Sequence, residues 1–201
     1  MIRRLSTALL AAGLIFSAAP AAAQQFSDSY QFLHAVSEAD GAKVTEMLNR
    51  PGPPIVNTRD VSSGEGALHI VTKRTDRTYL SFLLQHDANP DLRDRDGNTP
   101  LLLATNLNWL EGVRVLITYH ADVDVANDHG ETPLIRAVQL RNVQLVRELL
   151  DAGANPDKPD LLAGMSARDY AERDTRSPTI QRMLAEAPHR DRRAVSGPTL
   201  R

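Results

Sequence analysis

The chain has 201 residues, 23 lysines and arginines against 25 aspartates and glutamates, a formal charge of −2, and no cysteine. Disulfides, thiolate nucleophiles and thiolate metal sites are therefore excluded, and the near-neutral balance speaks against a nucleic-acid partner. The length suits one domain or a short repeat array.

The first feature in chain order is Met1–Ala23. Arg3 and Arg4 precede an apolar run from Leu5 to Ala19, and Ala21-Ala22-Ala23 stands before Gln24. A basic start, an apolar run and a small-residue end form the pattern of a secretory signal cleaved after Ala23. The run is short for a membrane span of about 20 residues, and retention as an anchor is the alternative. Cleavage removes two arginines and no acid, which moves the formal charge from −2 to −4. No later segment has the length of a span. The mature chain is thus expected to lack a transmembrane segment and, without disulfides, to be held together by packing alone.

From Ser27 onward the chain repeats itself. Gly97-Asn98-Thr99-Pro100-Leu101 returns 33 residues later as Gly130-Glu131-Thr132-Pro133-Leu134, with weaker copies at Gly64-Glu65-Gly66-Ala67-Leu68-His69 and Gly164-Met165-Ser166-Ala167. Ala88-Asn89-Pro90-Asp91, Ala121-Asp122-Val123-Asp124 and Ala154-Asn155-Pro156-Asp157 keep the same step. Between these signatures an apolar triplet at i, i+3, i+4 recurs: Val44/Met47/Leu48, Leu80/Leu83/Leu84, Val113/Leu116/Ile117, Val146/Leu149/Leu150 and Ile180/Met183/Leu184. That spacing puts three side chains on one helix face. A fixed period of this size means stacked supersecondary units, none of which can bury its apolar face alone.

Local chemistry predicts how each unit is built. Thr99 and Thr132 suit helix N-caps, and the prolines after them suit the first helical position. Leu101 with Ala104, and Leu134 with Ala137, give a first helix a narrow buried stripe, and the small alanine lets a neighbour approach. Gly97 and Gly130 supply a hairpin bend. Asp94-Arg95-Asp96-Gly97-Asn98 superficially resembles a calcium loop, but with Gly97 on the turn glycine the first ligand position is Leu92 and the bidentate glutamate position is Leu103. Asp94 and Asp96 therefore belong to a hairpin tip.

At these residues the sequence resembles the ankyrin repeat family, whose signature is Thr-Pro-Leu-His in a 33-residue unit, over Ser27 to Ala187. The resemblance implies an all-α ankyrin repeat solenoid of five helix-turn-helix units joined by β-hairpin-like loops, approximately 27–59, 60–93, 94–126, 127–159 and 160–187. A disordered tail follows over 188–201, where prolines and arginines replace apolar residues. The departures are specific. The family histidine survives only as His69, where it is expected to bond neighbouring loop backbone, and is replaced by Leu102 and Ile135. The first unit lacks Thr-Pro and has a longer loop at Arg50–Pro54, and Arg168 stands for the leucine of the last unit. Atypical ends read as polar caps on a stack.

The resemblance also implies a concave face of hairpin tips and first helices that binds another protein, expected to be periplasmic or envelope-associated. Residues that the repeat does not dictate are its candidates. These are Arg95, Asp96, Asn98, Asp128, His129 and Glu131 at the tips, and Lys73, Arg74, Asn106, Leu107, Gln139 and Leu140 on the first helices, with Trp109 beside them. Leu107 and Leu140 read equally as an exposed hot spot or as core side chains folded onto the adjacent loop, and Trp109 reads as packing. The mostly acidic tips suit basic or polar groups, or simply keep the surface solvated.

No catalytic residue, metal site or cofactor is expected. His34, His86, His120 and His129 fall in different units without His-x-x-x-His spacing, and no Gly-x-Ser-x-Gly elbow or phosphate-binding glycine loop occurs. The expected function is noncatalytic binding by a monomer acting as scaffold or modulator of another exported protein. Immunity or stress protection against a toxin, and small-molecule or metal binding, are the alternatives.

Overall fold

A computed structural model describes the backbone of residues 20–189 and the side chains from Asp28. The expected signal lies outside the described residues up to Ala19, as does the expected tail from Arg190. The proposed cut after Ala23 falls within the backbone of the first helix. The described residues form ten α-helices in five pairs: α1 (Pro20–Ser37) with α2 (Gly41–Leu48), α3 (Ala67–Lys73) with α4 (Arg77–Gln85), α5 (Pro100–Asn106) with α6 (Leu110–Thr118), α7 (Pro133–Gln139) with α8 (Val143–Asp151), and α9 (Ala167–Arg173) with α10 (Pro178–Glu186). One isolated antiparallel bridge joins Arg59 and Gly66 in the hairpin before α3.

Six of the helices, α2, α4, α5, α7, α8 and α9, start where the side chain of the N-cap residue satisfies a free amide. The Thr99 and Thr132 hydroxyls accept from the backbone N–H of Leu102 and Ile135, both at 3.2 Å, and Pro100 and Pro133 follow at the first helical position. Asp40, Asp76 and Asn142 cap α2, α4 and α8 in the same way. Ser166 and Asp169 form a reciprocal capping box at α9. The turn between paired helices has one residue of positive φ in the first four pairs, Ala39, Thr75, Asn108 and Arg141, with φ between 54° and 58°; the turn between α9 and α10 has none. A second such position follows the second helix, at Asp87, His120 and Gly153. The backbone thus repeats more faithfully than the side chains do.

The pairs stack in two rows. First helices pack in the order α1, α3, α5, α7, α9, and second helices in the order α4, α6, α8, α10. Ala104 and Ala137 are fully buried between neighbouring first helices, and the triplet positions Val44, Leu80, Val113, Val146 and Ile180 are buried with them in a single apolar cluster. Each such aliphatic side chain contributes about 1.5–3 kcal/mol on burial. The third triplet member is half-buried against this cluster in three units, as Leu48, Ile117 and Leu150, and buried in the other two, as Leu84 and Leu184; in the last unit the second member, Met183, is the half-buried one.

One unit solves the cap position differently. At the place of Asp76 and Asn142, α6 has Trp109, which makes no side-chain cap. Three residues on, where α4 and α8 carry Tyr79 and Leu145, α6 carries Gly112, and a Cβ there would lie 2.1 Å from Trp109 Cε3. The indole lies over Gly112 and fills the volume that the other two units fill from within the helix. The packing reading of Trp109 is the one its contacts support.

The last pair is closed by Arg168. It is buried, pairs through Nε with Asp157 at 2.8 Å, and donates to the carbonyls of Leu184 and Ala187 at the end of α10. A charge at a leucine position is accommodated because the final helix terminus supplies it with acceptors.

Candidate functional site: the hairpin tips and first-helix ends

The tips are built on one position per unit. Asp60, Asp94, Asn127 and Asp160 each accept backbone N–H groups of their own tip, for example Asp94 Oδ1 from Asn98 at 2.7 Å and Asp96 at 3.0 Å. Each also closes its hairpin by donating its backbone N–H to a carbonyl across the loop, at 2.8–3.1 Å for Asp60 to Glu65 through Asn127 to Glu131. The Ser62 hydroxyl and then the Ser63 N–H hold the Asp60 carboxyl down at about 2. In Asp160 burial pushes the carboxyl up, but hydrogen bonds from the Tyr170 hydroxyl and from the Ala163, Gly164 and Met165 amides leave it lowered.

Successive tips are spliced by backbone: Arg95 N–H donates to Ser63 at 2.9 Å, Asp128 N–H to Asp96 at 3.0 Å, and Leu161 N–H to His129 at 2.8 Å. Gly97 and Gly130, with φ of 80° and 78°, allow this approach, since a Cβ at Gly130 would stand 2.6 Å from Leu161 N. His69 adds a side-chain splice. Its Nδ1 accepts from Gly66 N–H at 3.1 Å, which leaves Nε2 to carry the proton and donate to Asn98 O at 3.0 Å. Burial lowers its pKa, against the raising effect of the Asn98 carbonyl, and the Gly66 N–H leaves no acceptor for a second ring proton.

The thirteen sequence-selected residues divide by what holds them. Arg74 is half-buried, donates to the α1 carbonyls of Val36 at 2.6 Å and Ser37 at 3.0 Å, pairs with Asp76, and lies over the Tyr79 ring. It staples two units together. Lys73 pairs with Glu65, Arg95 donates to Val61 O at 2.8 Å, Asp128 accepts from Arg93 at 2.8 Å, and Asn98 and Glu131 bond within the tips through Asp94 and Asn127. Asp96 and His129 lend backbone carbonyls to the splice and expose their side chains. Gln139 is exposed and Asn106 half-buried on the first-helix row. Leu107 and Leu140 occupy equivalent C-cap positions of the neighbouring helices α5 and α7. Leu107 is 46% exposed and Leu140 is half-buried.

Further exposed apolar groups were not selected from the sequence. Leu161 and Leu162, 74% and 79% exposed, and Val61, 71% exposed, sit on the first and last tips, whereas the middle tips are polar. Tyr30, 67% exposed, Leu33 and Ile70 line a pocket of about 460 Å³ between α1, the first tip and α3. The signal for the tip residues was present as a departure: Leu161-Leu162 stands where other tips carry Arg95-Asp96 and Asp128-His129. Among the described residues, no group of three or more histidine, aspartate or glutamate side chains is placed to hold a metal ion, and no helix is long and apolar enough to cross a membrane.

Comparison with known proteins falls on these same residues. The family model described as ankyrin repeats (3 copies) matches residues 32–127 and again 68–160. An ankyrin repeat protein of fowlpox virus (strain NVSL) is 33% identical over 81 residues, 40% of this chain and 24% of the relative. Oxysterol-binding protein-related protein 1 of Homo sapiens is 36% identical over 72 residues, 36% of this chain and 8% of the relative, and the Rattus norvegicus protein of that name matches to the same extent. The chain therefore spans a quarter or less of these relatives. The family match, in contrast, covers more than half of the chain and runs through the stacked helices described above: the chain belongs to the ankyrin repeat family, an all-α repeat fold that generally serves noncatalytic protein–protein interaction.

Proposed function

We propose that the chain is an exported, monomeric, noncatalytic binding module that acts as scaffold or modulator of a periplasmic or envelope-associated protein. Its binding surface is the row of first-helix ends and hairpin tips. The observation that carries this reading is the Leu107–Leu140 pair. The repeat is already closed by the buried leucines and alanines behind it, yet a leucine remains 46% exposed at the end of α5, next to the equivalent residue of α7. Aliphatic side chains at the ends of adjacent rigid helices make a preformed anchor, and the tip splices limit the ordering cost of binding. Five units at about 10 Å spacing give room for a standard interface of ~800 Å² per partner. Immunity or stress protection uses the same face and differs only in the partner.

The test is crosslinking of tagged protein in its native cell, comparing wild type with Leu107→Asp/Leu140→Asp. One exported protein captured by wild type and lost in a double variant of unchanged melting temperature supports the reading. Undiminished capture moves the surface elsewhere. Intact mass of the mature chain tests export: loss of residues 1–23 is expected, and retained Met1 contradicts cleavage.

A further inference from the structure

A pocket of about 430 Å³ opens where α7 and α9 end. Val138 and Tyr170 supply its apolar part, and its charged groups are Arg141, Arg173, Arg176 and Asp174. These positions are free of the repeat: Thr75 and Asn108 precede Arg141 at its place in the cycle, and Lys73, Asn106 and Gln139 precede Arg173.

Asp174 acts as a strut. Its Oδ2 accepts from Arg141 Nε at 2.5 Å and its Oδ1 from Arg176 Nε at 3.0 Å, so one carboxylate of the last unit fixes guanidiniums from two units. Both bonds use Nε, and the Nη groups of both arginines remain for another acceptor. Arg173 is exposed, and its one charge partner of note among the described residues is Asp169, a turn earlier on α9, whose carboxyl it helps the Ser166 hydroxyl to hold down. Three guanidiniums against one carboxylate in the lining leave a net positive charge, and Asp174 holds two of the three in place. The planar fork of arginine matches carboxylate in a bidentate geometry, and Val138 and Tyr170 suit the methylene stem of a glutamate. Leu140 lies in sequence between Gln139 and Arg141, so the pocket continues the Leu107–Leu140 row.

We propose that this pocket receives an acidic segment of the protein partner, a run of glutamate or aspartate carboxylates set beside the apolar anchor. The assignment rests on the protein-binding reading above and names the chemistry of the bound segment.

The experiment uses the full chain and fluorescein-labelled hexaglutamate, read by fluorescence anisotropy. Wild type is expected to bind, more weakly as salt rises. Arg173→Glu is expected to lose about tenfold or more in affinity at unchanged melting temperature, with Arg173→Gln between the two. Arg114→Glu, on the second-helix side where Arg114 pairs with Glu148, leaves binding unchanged. Equal binding by wild type and Arg173→Glu overturns the proposal. So does binding of a phosphoserine peptide or inorganic phosphate where hexaglutamate fails, since the pocket is then a phosphate site. If Leu107→Asp/Leu140→Asp loses the crosslinked partner while Arg173→Glu changes neither capture nor peptide binding, the pocket assignment alone falls. If neither variant affects capture, the face itself is wrong.

Discussion

His69 shows how much a single side chain can carry between units. Neutral and protonated at Nε2, it bridges Gly66 and Asn98, and burial lowers its pKa. A histidine whose folded pKa lies below its unfolded value near ~6.5 takes up a proton first in the unfolded chain. Its contribution is complete above that pH and is lost as pH falls through and below it. Chemical denaturation across this window is expected to show declining stability in wild type and a flatter profile in His69→Leu, which resembles Leu102 and Ile135; identical slopes would remove His69 as the source. Gly112 gives a second residue-scale outcome. Alanine ordinarily favours a helix by about 1 kcal/mol over glycine, yet Gly112→Ala is expected to destabilise by about 1–3 kcal/mol because its Cβ meets the Trp109 ring. Stabilisation in thermal melting would mean the indole moves aside freely. The role of His69 was legible because the family signature names it. The Trp109–Gly112 exchange was not, since it appears only when two positions three residues apart are compared across units.

At the scale of elements, most of the architecture could be read from spacing. The five triplets lie on five second helices, and Thr-Pro marks the starts of α5 and α7, because caps and i, i+3, i+4 stripes are local consequences of helix geometry. What spacing concealed was the division of labour among polar residues. Arg74 looked like a binding residue from its place in the cycle, but it occupies the free carbonyls at the end of α1, a contact made 37 or 38 residues away in sequence. Leu116→Ala in α6 is expected to cost about 2–5 kcal/mol, as it opens a cavity at a fully buried site; a loss below 1 kcal/mol in denaturant titration would contradict its core position. His120→Gly is expected to stabilise by about 0.5–1 kcal/mol, since φ of 62° strains a residue with Cβ more than glycine's extra unfolded-state entropy costs.

Across the whole molecule, stability passes from unit to unit through neighbour contacts, as in any quasi-one-dimensional stack. The ends therefore need their own closure, and Arg168 provides it at α9 and α10. Arg168→Ala is expected to cost about 2–3 kcal/mol and to raise amide exchange first in the last pair; uniform acceleration along the chain would show that the array unfolds as one unit instead. The binding face was only partly legible. Leu107 and Leu140 could be placed at the ends of neighbouring first helices, but their exposure, and the pocket that Asp174 organises beside them, depend on side chains brought together across 33 residues. The most direct test of the account is hydrogen–deuterium exchange of the chain with and without its crosslinked partner. Protection confined to the hairpin tips and the ends of α5, α7 and α9 is the predicted result. Protection centred on the second helices α4, α6 and α8 would contradict it.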